Sequence, residues 1–342
     1  MKRLIVLSLF ISVLWDNAFA QGNALIFDGN DDYIQIDDYA LSGEFTISFW
    51  YKAGDFNNGN FDDRIVAFGP TNRLEIGLGE ANCGTENLWF YDEVANLQDC
   101  HDLNVRDGRW HHITFTVRGP NRIIYFDGNI IGGYLADTEF AYGPDLRIGA
   151  WTGALSTHTF FRGELDELRI WSEARTQLQI QRYMNCEMTG SEQCLDAYYS
   201  FNQGEAGVSN TLDSLFDQTG ANRHGELRNF TLNNTISNWI NSTADLSGEC
   251  ENVACLTTST KDFDHLAVQV FPNPSQGLFE LRVDIPYLAR YRLSSISGQQ
   301  IQEGFIDGDQ ILDLQNQPDG LYLLEIMVGE SFHVTKLVKQ RQ

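Results

Sequence analysis

The sequence predicts an all-β chain built from antiparallel sheets, and three observations lead to this prediction. Short apolar runs alternate with polar residues over residues 24–172, which is the period-two pattern of strands that bury one face. Clusters of Gly, Asn and Asp separate these runs, as they do at hairpin turns and in sandwiches or barrels. No helical period is sustained elsewhere in this region, and the one predicted helix covers residues 172–184, with Ser172 at the N-cap position.

Residues 108–128, GRWHHITFTVRGPNRIIYFDG, form the clearest predicted hairpin. Apolar side chains alternate with hydroxyls before residue 118, a Gly-Pro-Asn sequence interrupts them, and a second apolar run follows. Asp127-Gly128 supplies the positive φ values of a tight turn. His111 and His112 point to opposite faces of such a strand, so the two cannot hold one metal ion together and we interpret them as structural.

Length and charge narrow the functional classes. A chain of 342 residues predicts two domains. The net charge of −24 repels nucleic acids and anionic membrane surfaces over the chain as a whole, and we therefore expect no nucleic-acid partner. Residues 1–20 combine Lys2-Arg3, an apolar run and an A-x-A site, which predicts a signal peptide cleaved after Ala20. Its apolar run is too short for a transmembrane segment, and none follows, so we expect a secreted or outer-surface protein that passes through the periplasm.

Four stretches in order carry a family resemblance: ALIFDGNDDYIQI, FTISFWYK, DGRWHHITFTV…IIYFDG and GELDELRIWSEART. Together they resemble the LamG-like, concanavalin A-like jelly roll, over residues 23–185. This resemblance implies an antiparallel β-sandwich. Residues 186–244 resemble a short cassette that follows such domains, and we expect it to pack on the jelly roll. Residues 245–265 read as a polar linker.

The last segment, residues 266–342, resembles the type A C-terminal sorting domain of the type IX secretion system of Bacteroidetes. The resemblance rests on an early PNPS-x-G, a late G-x-Y and a terminal KLVK, carried here by Pro272, Asn273, Pro274, Gly277, Gly320, Tyr322 and Lys336. It implies a small seven-stranded, Ig-like sandwich that the secretion machinery recognises and a sortase-like peptidase removes. The alternative is an Ig-like sandwich with an ordinary contact role.

Six cysteines in an exported chain predict disulfides. Zinc is the alternative, but it requires closely spaced CxxC-type pairs that the sequence lacks. Sequence alone allows many pairings. Proximity along the chain favours three of them: Cys83–Cys100, Cys186–Cys194 and Cys250–Cys255.

The resemblance also implies a possible Ca²⁺ ligand set at the rim of the sheet. Asp28 and Asp32 lie in an oxygen-rich loop, and Asp166 lies in the last strand of the family pattern. Calcium takes six to eight oxygen ligands, which such groups can supply in part. The alternative is that Asp28 stabilises a turn and Asp166 accepts hydrogen bonds from backbone amides.

Residues 164–167, Glu-Leu-Asp-Glu, resemble the acidic strand of jelly-roll glucanases. A retaining mechanism needs its carboxyl groups on one face, about 5–5.5 Å apart. Alternation along a strand would place Glu164, Asp166 and Leu168 on one face and Glu167 on the other. A leucine then occupies the third position, and we predict that the protein is not an enzyme.

Aromatic residues near loops are candidate sugar platforms, because a flat ring stacks on a pyranose face. Trp151, Trp89 and Tyr91 are the candidates, with core packing as the alternative. We assign Trp50, Trp110 and Trp171 to the core. The sequence thus predicts a non-catalytic protein that binds carbohydrate through its jelly roll, with a protein-binding adhesin that has no sugar site as the alternative.

Overall fold

The structure, a computed structural model, describes residues 22–53, 62–80, 82–136, 141–153, 159–233, 235–250, 267–284, 289–306, 308–328 and 331–340. The predicted signal peptide and residues 251–265 of the predicted linker lie outside these ranges. No helix within the described ranges has the length and apolar character needed to cross a membrane. The all-β prediction is confirmed, since the strands of each sheet pair in antiparallel fashion.

The first part of the chain forms a sandwich of two large sheets. Its strands are β1 (Asn23–Asp28), β2 (Tyr33–Ile36), β3 (Leu41–Ser42), β4 (Phe45–Ala53), β5 (Asp63–Thr71), β6 (Leu74–Glu80), β7 (Gly84–Asp92), β8 (Leu97–His101), β9 (Trp110–Arg118), β10 (Asn121–Phe126), β11 (Asn129–Leu135), β12 (Ala141–Ile148), β13 (Arg162–Trp171), β14 (Leu195–Tyr199), β15 (Ser214–Leu215), β16 (Gly225–Arg228) and β17 (Asn238–Asn241). The predicted hairpin at residues 108–128 is β9 and β10.

The eight-stranded sheet has the order β11-β10-β9-β4-β13-β1-β17, and β14 also pairs with β13. The nine-stranded sheet has the order β15-β16-β2-β12-β5-β6-β7-β8, and β3 also pairs with β12. Strands from residues 195–241 thus extend both sheets, so this segment is hydrogen-bonded into the sandwich and does not form a separate layer on it. The main core fills the space between the sheets with inward-facing aliphatic and aromatic side chains, such as Phe49, Phe90 and Ile148.

Helix α1 (Gln177–Tyr183) follows β13 and packs on the outer face of the eight-stranded sheet. The sequence placed its start at Ser172, which is wrong. Thr176 is the N-cap, because its side chain and that of Gln179 form a capping box. Residues 173–175 are not helical, and Thr46 Oγ1 holds them by donating to the Glu173 carbonyl and accepting from the Arg175 N–H, both at 2.8 Å.

The last part of the chain forms a second, smaller sandwich. Its strands are β18 (Ala267–Phe271), β19 (Leu278–Asp284), β20 (Ala289–Ser295), β21 (Gln300–Ile306), β22 (Gln310–Asp313), β23 (Gly320–Val328) and β24 (Ser331–Lys339). They form the sheets β18-β19-β22 and β21-β20-β23-β24. A separate core that includes Phe279, Leu293 and Leu324 lies between them.

Candidate functional site

The outer face of the nine-stranded sheet carries a row of mostly polar and aromatic side chains. The register aligns one residue from each of six successive strands: Gln35, Arg147, Ala67, Glu75, Tyr91 and Gln98. Their neighbours Ile34, Ile148 and Ile76 are buried in the core. Because successive side chains in a strand point to opposite faces, the row faces away from the core.

Arg73, which directly precedes β6, lies between two of the aromatic residues predicted to bind ligand. Its guanidinium carbon is 4.8 Å from the centroid of the Tyr91 ring and 5.9 Å from that of Trp151. Its Nη2 also donates to the Tyr91 hydroxyl at 3.2 Å. Both aromatic residues are half-buried. The structure therefore brings Tyr91 and Trp151 together, although 60 residues of sequence separate them.

Arg147 extends this cluster towards β2. Its guanidinium carbon lies 5.3 Å from the Tyr33 ring centroid. Its Nε donates to the Gln35 side chain at 2.6 Å, and its Nη1 donates to the Trp151 carbonyl at 2.6 Å. We call the five residues Tyr33, Arg147, Trp151, Arg73 and Tyr91 the aromatic strip. It crosses five strands, which at the usual strand spacing is about 19 Å.

Two carboxylates pair with Arg73, whereas Arg147 is held by Gln35 and backbone carbonyls. Glu75 is buried, with Oε1 3.2 Å from Arg73 Nη1 and Oε2 3.1 Å from Arg64 Nε. Glu93 lies 3.3 Å from Arg73 Nη2. The backbone N–H of Arg73 donates to Glu93, and this bond with the Arg73 charge holds the pKa of the carboxyl below its usual range, against the effect of burial. Glu93 therefore acts as a fixed negative charge.

Trp89, the third predicted platform, is a packing residue. It is 1% exposed, and its Nε1 donates to the Gly79 carbonyl at 3.0 Å. Its ring lies over Gly77, where a Cβ would come within 2.4 Å of the indole, and Arg64 covers it at 4.9 Å. The absence of a side chain at position 77 lets the indole lie flat on the sheet. Trp110, assigned to the core, is half-exposed at the start of β9, with Nε1 donating to Thr243.

The acidic loop after β1 brings Asp28 and Asp32 together with Asp31, and one ligand oxygen from each lies within 4.8 Å of the others. Asp28 Oδ1 accepts from the Asn30 N–H at 2.8 Å, as in an Asx turn. The two oxygens of Asp32 accept from Ser237 Oγ and the Asp28 N–H. Burial, and then the charges of Asp28 and Asp31, raise the pKa of Asp32 to about 7. The loop therefore concentrates negative charge.

Asp166 does not join this cluster. Asp28 is opposite Arg162 in the β1–β13 register, so Asp166 lies four positions further along the strand, about 13 Å away. Its Oδ2 accepts from Ser242 Oγ at 2.5 Å, and its Oδ1 has no hydrogen-bond partner among the described residues. Burial, and then the neighbouring charge of Glu167, raise its pKa well above the usual range.

The acidic strand does not alternate as predicted. Glu167 has φ +54°, and the β4–β13 register shifts between Asp166 and Arg169, which marks a β-bulge. Leu168 therefore lies in the core, and Glu167 shares the outer face with Asp166, contacting Arg169 and accepting from the Tyr198 hydroxyl at 2.7 Å. Both carboxylates are at most 1% exposed. Burial therefore separates the two carboxylates from any substrate. The expected separation of Asp166 and Glu167 onto opposite faces of the strand does not occur.

The described disulfides are Cys83–Cys100, as predicted, and Cys186–Cys250. The predicted Cys186–Cys194 pair is therefore wrong, and so is Cys250–Cys255. The reason is topological, because the end of the domain runs beside residue 186. Cys186 and Ser247 pair in an isolated antiparallel β-bridge, and Gly248 N donates to the Asn185 carbonyl at 2.7 Å. Cys194 is also disulfide-bonded, and Cys255 lies outside the described residues.

The two ends of the second sandwich meet through the motifs found in the sequence. Asn273 Nδ2 donates to the Lys336 carbonyl at 2.6 Å, and its Oδ1 accepts from Val338 N at 2.9 Å. Gly277 has φ +126°, and a Cβ there would come within 2.9 Å of Gln315 backbone atoms. The Tyr322 hydroxyl donates to the Pro318 carbonyl at 2.5 Å. The early motif therefore contacts the backbone of β24 at the terminal motif, whereas the Tyr322 hydrogen bond is local.

Each of the two parts of the chain matches a family model. Residues 28–181 match the concanavalin A-like lectin/glucanases superfamily. Residues 269–340 match the secretion system C-terminal sorting domain. No curated protein matches the chain in sequence.

Several solved structures are similar to parts of the chain. A candidate carbohydrate-binding protein from Bacteroides ovatus is 18% identical with a TM-score of 0.49, over 61% of this chain and 58% of its own length. The heptameric SAP-like pentraxin of Limulus polyphemus is 16% identical with a TM-score of 0.38, over 49% and 84%. Domain 4 of a GH43 extracellular arabinanase from Geobacillus stearothermophilus, in complex with arabinotriose, is 19% identical with a TM-score of 0.36, over 46% and 74%.

Proposed function

The chain joins a concanavalin A-like jelly roll to a type IX secretion C-terminal sorting domain, which directs it to the cell surface or beyond, and from this premise we propose that it is a non-catalytic glycan-binding protein. The proposed site is the aromatic strip on the outer face of the nine-stranded sheet. The observation that carries the proposal is the convergence of Tyr91 and Trp151 on Arg73.

The chemistry of the strip supports a sugar ligand. Half-buried aromatic rings offer flat apolar faces with polar edges, which match the apolar and hydroxyl faces of a pyranose. The intervening arginines are fixed by Glu75, Glu93 and Gln35, so the rings are held in place before a ligand arrives. Preorganisation of this kind lowers the entropic cost of binding. The length of the strip suits a chain of sugars better than a single one.

The burial of Asp166 and Glu167 supports binding over catalysis. A retaining glycosidase needs its two carboxyl groups at the sugar, and here α1 and the chain that follows it lie over the corresponding strand. Arg169, beside Glu167, donates to the carbonyls of Tyr183 and Cys186 in that covering segment. The protein-binding alternative stays open to the test below, because a half-exposed aromatic surface also suits a protein partner.

The test is retention of the full-length, oxidised chain on a panel of immobilised polysaccharides, compared with the variants Tyr91→Ala and Trp151→Ala. Loss of one stacking ring is expected to weaken binding roughly tenfold or more, which corresponds to about 1.4 kcal/mol. Phe216→Ala is the matched control, since Phe216 is 39% exposed and contacts His224, away from the strip.

Each outcome has a meaning. Retention that both strip variants lose and Phe216→Ala keeps supports the proposal. Retention that survives both strip variants moves the site elsewhere. No retention on any glycan favours the adhesin, and release of reducing ends from a polysaccharide contradicts the non-catalytic assignment.

The acidic loop supports a second, smaller proposal, that it binds Ca²⁺. Asp28, Asp31 and Asp32 would supply carboxylate oxygens, which hard cations prefer. A bound cation would favour the ionised form of Asp32, whose pKa is raised first by burial and then by the charges of Asp28 and Asp31. A native-state ligand must raise thermal stability. A Ca²⁺ titration that leaves the melting temperature of the wild type unchanged, or that shifts Asp28→Asn/Asp32→Asn equally, rules it out.

We further propose that a sortase-like peptidase removes the sorting domain after export. The sorting domain has its own core, separate from that of the jelly roll, which suits a removable tag. Mass spectrometry of the protein released by cells that secrete it tests this. A mature chain that still carries residues 267–340 would contradict it.

A further inference from the structure

The charges of the aromatic strip carry an inference about its ligand, which rests on the function proposed above. We infer that the strip selects neutral glycans over glycans that carry carboxylate or sulfate groups. The strip and its immediate partners include three arginines, and a binding site for an anionic sugar would need at least one of them to present a free pair of parallel N–H donors, which binds a carboxylate or sulfate at two points.

None of the three arginines has such a pair of donors free. Arg64 pairs with Asp62 and with Glu75. Arg73 donates to Glu75 and Glu93, at 3.2 and 3.3 Å. Arg147 uses Nε on Gln35 and Nη1 on the carbonyls of Trp151 and Gly153. A ligand anion could therefore form a two-point contact with these groups only by displacing an internal carboxylate, the Gln35 amide or a backbone carbonyl.

The negative charges of the strip are placed to repel an anion. Glu75 is buried between two arginines, but the Glu93 side chain is 38% exposed, beside Arg73. Three arginines and the three carboxylates of Asp62, Glu75 and Glu93 cancel locally, so no positive patch remains against a chain charge of −24. A polyanion is repelled at long range by the chain and at short range by Glu93.

The experiment compares binding of the full-length chain to fully methyl-esterified and to de-esterified homogalacturonan, which share a backbone and differ in charge, beside neutral polysaccharides. We expect at least a tenfold preference for the esterified form, or about 1.4 kcal/mol. Binding of neutral glycans should be unchanged at about 1 M salt, where the Debye length is about 3 Å.

Glu93→Gln, which keeps the size of the side chain, should reduce the preference for the esterified form severalfold. The matched control is Glu280→Gln, a carboxylate paired with Arg282 at 2.9 Å in the sorting domain, which should leave the preference unchanged. Stronger binding of the de-esterified form, or binding of neutral glycans that salt abolishes, overturns the inference and leaves glycan binding intact. Failure to bind any glycan instead contradicts the proposed function itself.

Discussion

The two outer faces of the jelly roll carry the same kinds of residue, but one face is buried by later segments of the chain and the other is not. On the eight-stranded sheet, Asp166, Glu167 and Arg169 lie under α1 and the segment that follows it, and each is at most 1% exposed. On the nine-stranded sheet, Arg73 and Tyr91 are only half-buried. We call these the covered face and the open face. The difference teaches that polar strand residues become a binding site or a buried network according to what later chain segments cover.

The largest expected effect is on the covered face. Arg169 is the cation beside Glu167 and also donates to two carbonyls beneath α1. Arg169→Met leaves a buried carboxylate without its counter-charge, so the free energy of unfolding should fall by about 3–5 kcal/mol. Denaturant unfolding followed by tryptophan fluorescence measures it.

Arg228→Met is the matched control, because Arg228 pairs with Glu226 at an exposed position of the same domain. It should change the free energy of unfolding by less than about 1 kcal/mol. Similar losses in the two variants would mean that the covered face is no more desolvated than the surface.

Each face also has its own disulfide. Cys186–Cys250 ties down the segment beyond α1 and closes a span of 64 residues, whereas Cys83–Cys100 joins β8 to the turn before β7 on the nine-stranded sheet and closes 17. The chain-entropy relation gives about 4 and about 3 kcal/mol respectively for removing them. Double Cys→Ser variants of each pair, unfolded in denaturant under the same conditions, measure both. A larger decrease in the free energy of unfolding on removal of Cys83–Cys100 would contradict the expectation that the disulfide of the covering segment stabilises the fold more.

Two adjacent histidines extend the contrast to pH. His112 is fully buried, and burial and then Arg169 lower its pKa to about 3. The His112 imidazole therefore stays neutral in the folded protein, whereas it takes up a proton in the unfolded chain below its pKa of about 6.5. The free energy of unfolding should fall by about 2 kcal/mol between about pH 7 and about pH 5. His112→Gln should lack this loss, when its pH profile of unfolding is compared with that of the wild type.

His111 has the opposite sign. Burial alone would lower its pKa, but the carboxylates of Asp127 and Asp107, at 2.9 and 3.1 Å, raise it above the usual value. Its contribution is therefore present below the unfolded pKa and is lost as pH rises through the folded pKa. His111→Gln should cost more stability in acid than in alkali. The same pH trend in both variants would show that their environments do not differ in this way.

The sequence was sufficient for the fold class, both domains and the Cys83–Cys100 pair, because alternation, turn residues and family motifs are local signals. It misplaced the start of α1, since the Thr176–Gln179 capping box was overlooked in favour of Ser172. It also misassigned the faces of β13, because the bulge at Glu167 breaks the alternation on which that reasoning depended.

The residues of the candidate site were predictable in part, but their arrangement was not, because it depends on pairing between strands that are distant in sequence. Tyr91 and Trp151 could be named from residue type, but only pairing across β12, β5, β6 and β7 brings them to Arg73. Burial of Trp89 depends on the missing side chain at Gly77, on the neighbouring strand. The alternating Arg73-Leu74-Glu75-Ile76 pattern is a local signal for a charged outward face, and it is the one signal in the sequence that indicates Arg73. Exposure is a property of the assembled sheets, and no single strand encodes it.

The smallest expected effect on stability is on the open face. Arg73 has a side chain 24% exposed, and its partners Glu75 and Glu93 are held by other contacts as well. Arg73→Gln should therefore change the free energy of unfolding by about 1 kcal/mol or less, yet weaken glycan retention, because the Tyr91 and Trp151 rings lose the group between them. Denaturant unfolding and the polysaccharide panel measure the two quantities on one variant. A stability loss as large as that of Arg169→Met, with retention unchanged, would make the open face a structural network like the covered one.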